Sequence, residues 1–221
     1  MTLALFHSGE SHVATFTRLI GEMAPEIPLR HRVREDLLRA AQGPERLTDA
    51  IRREVVTEIL ALAEAGAAVV MCTCSTLGPG AEGAAERTAR PVLRVDRPMM
   101  EAALGRGRRI AVAAALASTL GPTRDLLARV AAARGVVPEV REILVADAWP
   151  LFEAGDRAGY ARAVAEGLRR EVGGVDAVVL AQASMAPAAE LLADLEVPIL
   201  ASPRLGAAAA VAAWREAVGR G

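Results

Sequence analysis

The sequence predicts an α/β fold of two similar lobes, each a short parallel sheet flanked by helices, related by a pseudo-twofold axis. Three observations predict it. Apolar runs of strand length alternate with segments of helical period along the whole chain. The pattern repeats once: Ala68-Val69-Val70-Met71-Cys72-Thr73-Cys74-Ser75-Thr76 matches Ala177-Val178-Val179-Leu180-Ala181-Gln182-Ala183-Ser184-Met185 at an offset of about 109 residues, with Cys74 opposite Ala183 and Ser75 opposite Ser184. Shorter matches keep the same order: 3–8 with 110–118, Ile27-Pro28 with Val137-Pro138, and Pro91-Val92-Leu93 with Pro198-Ile199-Leu200. Finally, the apolar run through Val69, Val70 and Met71 stops abruptly in thiols and hydroxyls and then in Gly78-Pro79-Gly80, which reads as a buried strand ending at a turn.

The elements follow in order. Residues 3–6 read as a strand closing in the loop His7-Ser8-Gly9-Glu10-Ser11, with Ser11 placed to cap a helix over 12–23. Residues 27–33 read as a strand near a sheet edge, because of Pro28 and the charges of Arg30, His31 and Arg32. Gly43-Pro44 breaks the chain before a helix over 45–64, whose Leu47, Ile51, Val55, Ile59 and Leu62 form a core stripe. A strand over 67–74, a helix over 81–88, a strand over 92–95 and a helix over 98–104 complete the first lobe, residues 1–104. Gly105-Arg106-Gly107-Arg108-Arg109 reads as the link. The second lobe, residues 105–221, opens with a strand over 110–116 and a helix that starts at Gly121-Pro122 and runs to 134. A strand over 136–145, a helix over 160–171, a strand over 177–180, a helix over 187–195, a strand over 198–201 and an alanine-rich helix over 203–218 follow. That closing helix has the option of packing on the first lobe.

Charge is balanced, with 26 basic residues, all arginine, against 27 Asp plus Glu. This balance favours neither nucleic acid nor an anionic membrane as partner. Without a single lysine the chain has no Schiff-base nucleophile and no Walker A lysine, so Gly78-Pro79-Gly80-Ala81-Glu82-Gly83 is glycine-rich without being a phosphate loop. There is no signal-peptide layout, and no apolar run reaches the ~18 residues of a membrane span; a cytoplasmic protein is expected. Two cysteines one residue apart suit free thiols better than a disulfide. With three histidines, His7, His12 and His31, all in the first 31 residues and no second cysteine pair, neither a metal site nor a cofactor is expected.

If the strand ends of the two halves face each other, four loops bring together His7 and Ser8, Cys74 with Ser75 and Thr76, Ser118 and Thr119, and Ser184. Small hydroxyls and backbone amides at helix N-termini suit a carboxylate. The same field is expected to lower the pKa of Cys74, the best candidate for a reacting group. Cys72 is read as structural, His12 as helix surface and His31 as strand surface.

Cys74-Ser75-Thr76 at a strand end, in a duplicated α/β chain of this length, resembles the aspartate/glutamate/hydantoin racemase superfamily, whose first half carries a cysteine-Asn/Ser-Thr motif. The resemblance implies an Asp/Glu racemase-like fold and a cofactor-independent enzyme that moves a proton next to a carboxylate of a small substrate. Cys74 would be the reacting thiol and His7 the candidate to replace a second base. Ser8, Ser75, Thr76, Ser118, Thr119, Gln182 and Ser184 would hold the substrate, and a homodimer is an option. In such racemases the second half ends its strand in Gly-Cys-Thr, where this chain has Ala181-Gln182-Ala183-Ser184. The missing thiol falls at Ala183 or at Gln182, and neither side chain exchanges a proton near neutral pH. The chain is in this respect similar to arylmalonate decarboxylases, which keep one thiol to protonate one face of an enediolate, and to maleate isomerases, whose first-half cysteine is a nucleophile. A catalytically silent, metabolite-binding member is the remaining reading.

Overall fold

The computed structural model describes residues 1–43 and 47–219. Its elements are β1 (Thr2–His7), α1 (Ser11–Met23), β2 (Leu29–Val33), α2 (Glu35–Ala41), α3 (Asp49–Glu64), β3 (Ala67–Cys72), α4 (Gly78–Ala85) and β4 (Val92–Arg94). They continue as α5 (Arg97–Leu104), β5 (Arg109–Ala114), α6 (Ala117–Ala133), β6 (Glu139–Leu144), α7 (Trp149–Glu153), α8 (Arg157–Glu171), β7 (Ala177–Leu180), α9 (Ala186–Glu190), β8 (Ile199–Ala201) and α10 (Ser202–Gly219). Contacts divide the chain into two compact units, one of Met1–Asp96 with the segment from Pro203, the other of Arg97–Ser202.

The first unit holds a parallel sheet in the order β2-β1-β3-β4. Both faces are covered, so β3 can be apolar throughout, as central strands of parallel sheets are. On one face Ala4, Phe6, Val70 and Cys72 pack on Val55 and Ile59 of α3 and Ala81 and Ala84 of α4. On the other, Leu3, Leu5, Val69 and Met71 meet Phe16 and Ile20 of α1 and Ala207, Ala210 and Val211 of α10. This two-sided alternation follows from the period of 2 along each strand. Gly66, at φ +90°, makes the turn from α3 into β3.

The second unit repeats the order as β6-β5-β7-β8, again all parallel. Ala111, Ala113, Val178, Leu180 and Ile143 pack on Tyr160, Val164 and Leu168 of α8, while Ile110, Val112 and Val179 on the other face are equally buried. The expected edge strand, β2, is an edge, and β6 is its counterpart. Among the described residues no helix is long and apolar enough to cross a membrane.

The expected boundaries shift where turn chemistry was misread. Gly78-Pro79-Gly80 is the first turn of α4 rather than a loop, because a proline there loses no helical hydrogen bond. Ser11 is itself helical, and Glu10 before it makes no side-chain cap bond. Thr48 caps α3, its hydroxyl accepting from the Ile51 amide at 3.3 Å; the start expected at residue 45 lies outside the described residues. Helix α6 begins at Ala117, ahead of the expected Gly121-Pro122, so Pro122 sits inside it and cannot donate to the Ser118 carbonyl. The helix expected over 187–195 is only α9, preceded by a 3₁₀ turn over Ala183–Met185. Helices α2 and α7 are too short to show a readable period.

Candidate active site

In each sheet the chain order reverses beside the first strand, between β1 and β3 and between β5 and β7, which is where open α/β sheets leave a crevice beyond their carboxyl ends. In the first unit His7 and Ser8 leave β1 there, and Thr73 and Cys74 leave β3. The Thr73 amide and hydroxyl both donate to the Phe6 carbonyl, at 2.9 and 3.2 Å. Its hydroxyl proton being so engaged, Thr73 Oγ1 accepts from His7 Nδ1–H at 2.8 Å. His7 Nε2 is then an acceptor, taking the Nδ1–H of His31 at 2.9 Å, and His31 Nε2 accepts the Thr17 hydroxyl at 3.2 Å.

This chain leaves neither nitrogen of His7 over. His7 is fully buried, and burial, then the charges of His12 and His31, lowers its pKa from 6.5 to about 3. His31 is lowered too, chiefly by burial. Both rings are therefore neutral at physiological pH. The sequence reading placed His31 on the strand surface; the structure brings it onto His7 because β1 and β2 pair with Leu5 opposite His31 and His7 opposite Val33.

Cys74 lies two residues beyond β3 and is 8% exposed. The Ser8 hydroxyl and the backbone amides of Thr76 and Leu77 bond its sulfur and lower its pKa. Burial outweighs them, so the thiol is raised above its ordinary value, the reverse of what the helix-terminus field alone leads one to expect. Low dielectric penalises the thiolate more than three donors favour it. Cys72 is wholly buried and donates to the Cys74 carbonyl at 3.5 Å, and burial raises its pKa too. Ser75 and Thr76 are buried beside them.

The sequence reading missed Arg94 and Asp96. Arg94 is the register partner of Cys72, and its guanidinium grips Asp96 through two hydrogen bonds of 2.9 and 2.7 Å and lies 3.3 Å from Glu82. Arg94 and Asp96 are 5% and 0% exposed. A Cβ on Gly78 would collide with this guanidinium, so the glycine at the start of α4 is where Arg94 fits. The available signal was opposite charges at spacing two at the end of a buried strand, which puts both on one face.

In the second unit the hydrogen-bond register fixes the counterpart of Cys74. The Thr73 amide bonds Phe6 O as the Ala181 amide bonds Ala113 O at 2.8 Å, and Phe6 pairs with Cys72 as Ala113 pairs with Leu180. Gln182, not Ala183, therefore occupies the position of Cys74. Its Oε1 accepts the amides of Ala115 and Leu116 at 2.7 and 3.0 Å, which leaves its NH2 end to other partners. Ser184 bonds the Tyr160 hydroxyl at 3.0 Å, and burial lifts that phenol to about 12. Ser118 and Thr119 lie in the first turn of α6, with the Ser118 hydroxyl buried and without a hydrogen-bond partner among the described residues. Among the described residues no three His, Cys, Asp or Glu side chains are grouped to hold a metal ion.

Two parallel four-stranded α/β units of matching order, with a cysteine and hydroxyls at the first switch point, define a racemase-type fold. The family model "Asp/Glu/Hydantoin racemase" matches residues 13–210, and the chain belongs to that family. Among solved structures it is similar to the glutamate racemase of Thermus thermophilus in complex with β-chloro-D-alanine, at 21% identity and TM-score 0.76, over 99% of this chain and 81% of that one. The allantoin racemase of Klebsiella pneumoniae aligns at 21% identity and TM-score 0.64, over 99% and 89%. A glycine-to-cysteine mutant of arylmalonate decarboxylase aligns at 21% and TM-score 0.60, over 97% and 93%. These likenesses establish the fold. A search of the curated proteins finds no match.

Proposed function

We propose that the protein is a cofactor-independent enzyme that transfers a proton at the carbon next to a carboxylate of a small substrate, with the Cys74 thiol as the reacting group. The observation that carries this is the environment of Cys74: a buried sulfur facing Ser8 and the amides of Thr76 and Leu77, held protonated at neutral pH. A thiol in that state serves as an acid, delivering its proton to one face of a carbanion. The resulting thiolate, bonded by three donors, is restored from solvent. The hydroxyls of Ser8, Ser75 and Thr76 are the groups of the first unit that would meet the carboxylate. His7 acts through Thr73, as a positioning group.

A second reading is favoured by the same thiol. An isomerase must first remove a proton, which a protonated thiol does poorly. A malonate-type diacid supplies its own carbanion: the bond to one carboxylate breaks, its electron pair stays on the α-carbon as an enediolate, carbon dioxide leaves, and Cys74 protonates the carbon. The test is proton NMR in deuterium oxide with amino acids, hydantoins, malonates and maleate, run beside Cys74→Ser. Cys74-dependent deuterium at an α-carbon is expected, and carbon dioxide loss separates decarboxylation from isomerisation. No exchange in any compound would remove the proposal.

A further inference from the structure

We propose that Arg94 and Asp96 are positioning residues of the Cys74 site: the guanidinium, gripped by Asp96, clamps α4 at Gly78 and Glu82 and so holds the amides of Thr76 and Leu77 against the sulfur. This rests on the proposed role of Cys74 and names what holds its donors. Strand β4 runs parallel to β3, with Val92 opposite Val70, Leu93 opposite Met71 and Arg94 opposite Cys72. The Val95 amide then donates to the Cys72 carbonyl at 3.0 Å, which keeps the two chains together to the point where β3 ends. Arg94 and Asp96, at spacing two, turn to one face, and α4 meets them there. The guanidinium fills the space of a Gly78 side chain, and Glu82, one helical turn further on, lies 3.3 Å from Arg94 Nη1. The Gly78 amide closes its turn on the Ser75 carbonyl at 3.1 Å. Thr76 and Leu77, whose amides bond the Cys74 sulfur, are the two residues inside that turn.

The second unit shows the same position without the clamp. Leu180 pairs with Ala201 as Cys72 pairs with Arg94, so this place in the repeated sheet holds a methyl group. That strand end leads into a 3₁₀ turn and the short α9, and its counterpart of Cys74 is Gln182. The sheet therefore forms with an alanine here, and the ion pair accompanies the thiol. Stability does not call for the pair either, since apolar side chains of similar volume commonly match or exceed a buried ion pair. What a guanidinium adds is direction. Its planar fork holds Asp96 through bonds of 2.9 and 2.7 Å while Nη1 meets Glu82, which ties the end of β4 to α4 at one point. The fully buried Asp96 carboxylate also disfavours negative charge on the Cys74 sulfur, whereas Arg94 and Asp96 act in opposite senses on Cys72. The clamp thus aims donors at the sulfur, and its carboxylate helps the thiol keep the proton that an acid must deliver.

The test compares the full chain with its Arg94→Met, Asp96→Leu variant, which keeps the site filled with apolar groups, by hydrogen-exchange NMR. The amides of Thr76 and Leu77 are expected to exchange at least about tenfold faster in the variant, as a local opening, while those of Leu5 and Val70 in the sheet keep their protection. Asp96→Asn removes the charge and keeps the shape. It is expected to lower the pH of half-maximal Cys74 alkylation by iodoacetamide by at least about half a unit, roughly a threefold gain in thiolate. Unchanged exchange at Thr76 and Leu77, an equal loss of protection at Leu5 and Val70, or an Asp96→Asn inflection at or above that of the unaltered chain would each overturn the inference. Its failure is distinct from that of the proton-transfer reading: exchange and labelling as expected, with no Cys74-dependent turnover of any compound, would leave the clamp standing and remove that reading alone.

Discussion

His7 Nε2 lies 2.9 Å from His31 Nδ1, and the two rings meet edge to edge with 17° between their planes. Because Thr73 holds the other nitrogen of His7, the pair is locked in one tautomeric order. Replacing His31 by Phe keeps an aromatic ring beside His7 but leaves Nε2 without its donor. The expected cost is ~1–3 kcal/mol, that of a buried polar atom left unsatisfied. Urea unfolding at neutral pH reads it, as a lower midpoint at unchanged slope. A midpoint equal to that of the wild type would show that the imidazole contact does not stabilise the fold.

The same burial makes stability depend on pH. His7 titrates at about 3 in the folded chain against 6.5 ordinarily, so between these values the unfolded chain binds more protons. Its contribution is complete above 6.5 and is lost as pH falls toward 3, with a slope approaching ~1.4 kcal/mol per pH unit. His7→Phe removes this dependence, and its midpoint should fall less steeply than that of the wild type on acidification. Parallel curves for the two proteins would show that His7 is not buried in its neutral form.

Labelling reads the state of the Cys74 thiol. Alkylation by iodoacetamide should be slow at neutral pH and rise with an inflection above the ordinary thiol value of 9.0. Ser8→Ala should move that inflection further up, because the Ser8 hydroxyl lowers the pKa. Cys74→Ser should abolish labelling of the native protein, since Cys72 is wholly buried and burial disfavours its thiolate. An inflection near or below neutrality would mean that donors outweigh desolvation, and would favour a base over an acid.

The central strands and their alternation with helices were legible in sequence because they rest on apolar runs whose length and period survive any context: 67–72 and 177–180 each stand out as buried segments. The counterpart of Cys74 in the second unit was not, since the repeat slips by one residue between the strands and only the backbone bonds from Thr73 and Ala181 decide it. Nor was the sign of the Cys74 shift. Helix amides can be anticipated from a glycine and a proline after a strand, whereas desolvation depends on the residues packed around the sulfur, which come from elsewhere in the chain. His31 was misread for a related reason: a polar residue on an edge strand looks solvated until its neighbour across the ladder is known.

Gly78 and Arg94 offer a test of how this pocket is held. The guanidinium occupies the space of a Gly78 side chain, so Gly78→Ala must displace Arg94, and with it the counter-charge that contacts both oxygens of the fully buried Asp96. Breaking a buried pair on one side costs ~3–5 kcal/mol, because the remaining charge is left uncompensated. At ~2–4 °C per kcal/mol for a chain of this size, Gly78→Ala should melt roughly 6–20 °C lower. If the collision with Arg94 is the whole cause, the penalty vanishes once the pair is gone: in an Arg94→Met, Asp96→Leu background the same glycine substitution should cost under ~1 kcal/mol. A full penalty in that background would place the clash with the backbone of α4 instead. Because Leu77 and Thr76, whose amides reach Cys74, immediately precede Gly78, the single variant should also alter the pH at which the thiol is alkylated, whereas adding Gly78→Ala to the Arg94→Met, Asp96→Leu background should leave that background's alkylation pH unchanged.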